Sequence, residues 1–138
     1  MGTLIVVDCE APFGVGAPSV GDMTEFGAVD VNALREGRTE TFHGQDCSQD
    51  TFTRFREWLE QRSPVVFVSD NPAYDFQWIN FYFWRYFGMN PFGHSGRRIA
   101  DFYAGLVGIF ARRRTGSVSA ERSTIIIRFT TRSGTPSR

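Results

Sequence analysis

Thr3-Leu4-Ile5-Val6-Val7-Asp8-Cys9-Glu10 is the stretch on which the fold of this chain turns. A short apolar, β-branched run leads straight into an Asp-x-Glu pair, the pattern of a buried strand whose carboxyl end emerges at acids. Side chains alternate along a strand, so Asp8 and Glu10 face the same way. Two adjacent carboxylates raise each other's pKa unless a cation lies between them, and hard oxygen donors suit Mg²⁺ or Mn²⁺. From spacing alone, a pair of acids at a solvated strand end is an equally good reading.

Outward from this strand, residues 11–22 are rich in Gly and Pro and read as a loop. Residues 23–31 alternate well enough for a second strand, residues 32–38 hold a turn at Gly37, and residues 38–43 complete a meander as a third strand. Phe52, Phe55, Trp58 and Leu59 predict a helix over residues 50–62, with Ser48 or Asp50 as its cap. Residues 64–69 form another buried strand. Asp70-Asn71-Pro72 then turns into a helix over residues 73–87, so aromatic that Phe76, Trp78, Ile79, Phe83 and Trp84 all read as core. A short strand at residues 98–100 and a helix over residues 101–110 follow. This order predicts an α/β fold with a mixed sheet: a three-stranded antiparallel meander, then parallel strands joined through helices.

The length of 138 residues suits one domain, and a hydrophobic content of 41% predicts a packed core. No apolar run reaches the roughly 18–20 residues of a membrane span. The first residues show neither the basic start of a signal peptide nor, with Val6 at the sixth position, a myristoylation pattern. Cys9 and Cys47 lack metal-ligand spacing and read as free thiols in a reducing cytoplasm. The net charge of zero hides a split. Residues 111–138 hold seven Arg and one acid, whereas the first 110 residues are acidic. The chain therefore divides into a core over residues 1–110 and an Arg-rich tail over residues 111–138, which in one reading is a nucleic-acid-binding arm.

A second acid, Asp75 in Asn71-Pro72-Ala73-Tyr74-Asp75, falls in the first helical turn after a buried strand, where ligands gather in open α/β sheets. Alone it would be explained by the helix dipole. Together the two sites resemble the DEDD-type (DnaQ-like) 3′–5′ exonuclease family, with its ribonuclease H-like fold. The resembling features are Leu4-Ile5-Val6-Val7-Asp8-Cys9-Glu10, then Glu25-Phe26-Gly27-Ala28 on the second strand. The Asn-x-x-x-Asp of Asn71 to Asp75 and the later Arg98-Ile99-Ala100-Asp101 complete them. The resemblance spans residues 3–107. The family's third motif, a His or Tyr base followed five residues later by Asp, is absent, since His43 and His94 come too early and no Asp follows Asp101. One codon choice for Thr124-Ile125-Ile126-Ile127-Arg128-Phe129-Thr130-Thr131, read in a shifted frame, gives Asp-His-His-Pro-Val-His-Asp-Ala, which contains that motif. The chain after about Phe110 therefore reads as frameshifted.

The resemblance implies two-metal hydrolysis from the 3′ end of single-stranded nucleic acid, with Mg²⁺ or Mn²⁺ as the two ions; RNA is slightly favoured over DNA, because a bare domain lacks polymerase or helicase partners. It places Asp8, Glu10 and Asp75 as catalytic metal ligands. Ala11 and Phe13 would lie against the terminal nucleotide, and Asn71 and Tyr74 beside the scissile phosphate. Phe13 reads equally well as a stacking residue or a core residue. With three of four acids and no base, activity is expected to be impaired. The alternative is an inactive nucleic-acid-binding module using the Arg-rich arm. Neither reading fixes the oligomeric state, and a homodimer is compatible with both.

Overall fold

A computed structural model of the chain describes residues 2–101. Its elements are β1 (Thr3–Glu10), β2 (Glu25–Asp30), α1 (Val31–Arg35), β3 (Thr41–Gly44), α2 (Gln49–Glu60), β4 (Val65–Ser69), α3 (Pro72–Phe87) and β5 (Gly96–Arg98). They form a mixed five-stranded sheet in the order β3-β2-β1-β4-β5. β1 is central. On one side β2 and β3 pair antiparallel as a meander, and on the other β4 and β5 pair parallel, reached through the crossover helices α2 and α3. This is the α/β mixed sheet expected from the order of apolar runs.

One face of the sheet carries the core. Ile5, Val7 and Cys9 from β1, Phe26 and Ala28 from β2, and Val65 and Phe67 from β4 are buried. They pack against Phe52, Phe55 and Leu59 of α2 and Trp78, Ile79, Tyr82 and Phe83 of α3. The aromatic rings interlock edge to face and offset, as in Phe52 against Phe83 at 5.2 Å and 85°, which favours one arrangement over a loose apolar cluster. Leu4, Val6 and Asp8, alternating onto the opposite face, are only partly buried.

Element ends follow local chemistry. Ser48 caps α2 through Thr51 N, and Gly88 closes α3 at φ 63°, a left-handed conformation that glycine adopts without strain. Three expectations change. The turn over residues 32–38 opens with α1, because Asp30 Oδ1 accepts from Ala33 N at 2.9 Å and so ends β2 by starting a helix. The third strand lies at Thr41–Gly44, later than residues 38–43. β5 is Gly96–Arg98, and Ile99 to Asp101 already take helical form. The remainder of the helix expected over residues 101–110 lies outside the described residues, as do the tail at residues 111–138 and its shifted-frame motif. Among the described residues, no helix is long and apolar enough to cross a membrane.

Candidate active site

The carboxyl ends of β1 and β4 and the amino end of α3 meet at one corner of the sheet. β1 and β4 run in register through Val6 and Val68, so two residues further on Asp8 comes level with Asp70. α3 begins at Pro72, whose fixed φ suits a first helical position. The Asn71 carbonyl accepts from the amides of Tyr74 and Asp75 at 3.0 and 2.9 Å. That turn delivers Asp75 to β1, where its Oδ1 accepts from Cys9 N at 3.0 Å. The Cys9 thiol also reaches the Asp75 carbonyl at 3.6 Å. The amide of Cys9 lies past the last β4 pairing and would otherwise be an unsatisfied buried donor.

Burial raises the pKa of Asp75 to about 7; the Cys9 amide opposes that rise, and the neighbouring Asp8 adds to it. Burial, Glu10 and Asp70 raise Asp8 to about 6. Among the described residues, what raises both groups is desolvation and neighbouring acids, so the corner gathers negative charge. Oxygen-only carboxylate donors fit a hard divalent cation. They are not already closed around one point: among the described residues, no three His, Cys, Asp or Glu side chains converge closely enough to ligate one ion.

The structure thus brings Asp8, Glu10 and Asp75 to one corner and adds Asp70, which the sequence reading had placed only in a turn. Tyr74 is half-buried, with its ring edge-on to Trp78 at 6.1 Å, while Asn71 is exposed at the α3 entrance. Ala11 is half-buried just past Glu10. Phe13 is fully exposed, which overturns its reading as a core residue. Trp84 was expected in the core and is 48% exposed. His94 is exposed in a loop. His43 shares the Asp8 face of the sheet, because Asp8 pairs with Gly27 and Gly27 with His43. Two strand spacings, roughly 10 Å, separate it from Asp8, and its Nε2 is engaged by Glu25 Oε2 at 2.8 Å. A base in contact with the acids is therefore missing among the described residues. No single motif marks the Glu25–His43 pair in the sequence, since it forms across neighbouring strands.

The fold and site define an α/β protein with a carboxylate cluster at the carboxyl ends of its central strands. No family model matches the chain. Over 61 residues it is 38% identical to the 3′-5′ DNA exonuclease Cap18 of Escherichia coli. The match takes in 41% of this chain and spans a third of that relative's length.

Proposed function

We propose that the chain is the core of a metal-dependent 3′–5′ exonuclease of ribonuclease H-like fold, acting on a single-stranded 3′ end. The observation that carries this reading is the Cys9–Asp75 hydrogen bond. It joins positions 66 residues apart and sets Asp75 beside the acidic end of β1. The similarity to a named 3′-5′ DNA exonuclease supports it independently.

Asp8, Glu10 and Asp75 would hold Mg²⁺ or Mn²⁺. When bound, a pair of such ions supplies a nucleophilic water of lowered pKa and stabilises the leaving 3′ oxygen. The chain's own contribution is to hold partly desolvated carboxylates side by side, where each ion gained relieves their repulsion. Asn71 and Tyr74 would flank the phosphate, and Ala11 and Phe13 would meet the terminal nucleotide, Phe13 with a free ring face. With no base against the acids among the described residues, slow turnover is expected. The lean towards RNA yields to the relative's printed substrate, which makes single-stranded DNA the first substrate to test.

The test is digestion of 5′-labelled DNA and RNA strands of one sequence with Mn²⁺. A ladder shortening from the 3′ end, abolished by EDTA and by Asp8→Asn, is expected. Digestion unchanged by Asp8→Asn would place the activity elsewhere. Binding without digestion, lost on removal of residues 111–138, would instead identify the inactive module with an Arg-rich arm.

A further inference from the structure

The outer face of α3 turns away from the carboxylate corner and still carries large aromatic side chains. Between it and residues 17–19 runs an open groove of about 580 Å³, whose lining includes Pro18, Gln77, Phe81, Trp84 and Arg85. Gln77 Nε2 donates to Gly16 O at 2.9 Å, so the groove's upper end is tied to the loop that leaves Glu10. From Gln77 to Arg85 the groove follows α3 for roughly 12 Å, leading away from the turn that carries Asp75.

Its lining is apolar, amide and cationic. Residues 2–101 hold 14 acids against 8 Arg, yet no acid lines the groove. Arg38, Arg54, Arg56 and Arg62 pair with carboxylates, whereas Arg85, like Arg35, Arg97 and Arg98, has no carboxylate partner among the described residues; of these four it is the one that lines the groove. Its guanidinium lies 6.0 Å from the Phe81 ring centre, at the edge of cation–π range. A half-exposed indole beside an unpaired guanidinium matches a stacked base next to a phosphate. An apolar peptide would leave Arg85 unanswered.

We propose that this groove is a second nucleic-acid site, which takes a base on Trp84 and a phosphate on Arg85 from the single strand lying 5′ of the cleaved nucleotide. The assignment rests on the exonuclease reading for its direction but not for its chemistry. It makes the enzyme length-selective: a strand too short to reach from the carboxylate corner to Trp84 gains nothing from the groove.

The experiment compares the full chain with Trp84→Ala and Arg85→Glu, using an oligo(dT) of about 12 nucleotides, within the span of single-strand sites, and a thymidine dinucleotide. Binding is read by anisotropy in EDTA and digestion with Mn²⁺. Trp84→Ala is expected to bind the long strand roughly 5- to 100-fold more weakly, as loss of one stacked base predicts, and Arg85→Glu to weaken it by removing the phosphate contact, with dinucleotide cleavage unchanged in both. Equal effects on both lengths, or on neither, overturn the groove. So does a shift from dimer to monomer with unaltered strand binding, which would mark the face as a contact between copies. If long-strand binding depends on Trp84 but the chain digests nothing, the groove stands and the exonuclease reading falls. If the chain neither binds nor digests, both fall.

Discussion

Replacing Asp75 with Asn should stabilise the metal-free protein at alkaline pH while destroying its chemistry. Asp75 is 4% exposed, and its carboxyl titrates at about 7 in the folded chain. The ordinary unfolded value is near 3.9. A folded pKa above the unfolded one means the folded state holds the proton more tightly. That stabilisation is fully present below about pH 4 and is lost as pH rises through about 7. Three units correspond to about 4 kcal/mol at most. Water penetration and relaxation around the charges reduce this to roughly 1–3 kcal/mol. Asn keeps an oxygen for the Cys9 amide and removes the charge. In EDTA at pH 8 the variant should therefore melt roughly 5–20 °C above the parent, given about 4–8 °C per kcal/mol for a domain of this size. At pH 5, where Asp75 is already protonated, the gain should nearly vanish. Mn²⁺ should raise the melting temperature of the parent and not of the variant. Circular dichroism melts at both pH values decide the matter. An Asn variant that is less stable at pH 8 by as much as at pH 5 would refute the claim of an uncompensated buried carboxylate.

Other expectations follow from particular contacts. Asp8→Asn should remove most Mn²⁺-dependent digestion without loss of fold, checked by nuclease assay beside a melt. Gly44→Ala would drive a methyl group into the buried Phe26 ring; urea unfolding should show a loss of about 1–3 kcal/mol. Arg62 bridges Asp30 and Glu40 at 3.1 Å each and stacks over Trp58 at 3.8 Å. Its side chain is 12% exposed, so Arg62→Met should cost about 3 kcal/mol by leaving Asp30 charged and buried, and Asp30→Asn in the same chain should recover part of it.

The order of strands and helices was legible because each apolar run had a length and period of its own. Thr3 to Val7 could be little but a buried strand, and Phe52, Phe55 and Leu59 could share only a helix face. α1 was missed because Val29-Asp30-Val31 alternates like a strand; the Asp30 side chain ends β2 by capping Ala33, a choice that local pattern leaves open. Trp84 was misplaced because an aromatic helix shows no polar stripe, so its outward face emerges only once the sheet and α2 occupy the other sides.

Strand alternation and helix starts are local, so the sequence alone puts Asp8 and Glu10 on one strand face and Asp75 in a first helical turn. Three further facts of the site come from the packed fold: Cys9 N reaches Asp75 Oδ1, Asp70 comes level with Asp8, and His43 stays two strands away behind Gly27. Those facts depend on strand order and register, which arise from packing between segments dozens of residues apart. The same packing leaves Trp84 and Arg85 facing solvent beside residues 17–19, where a nucleic-acid strand can be sought.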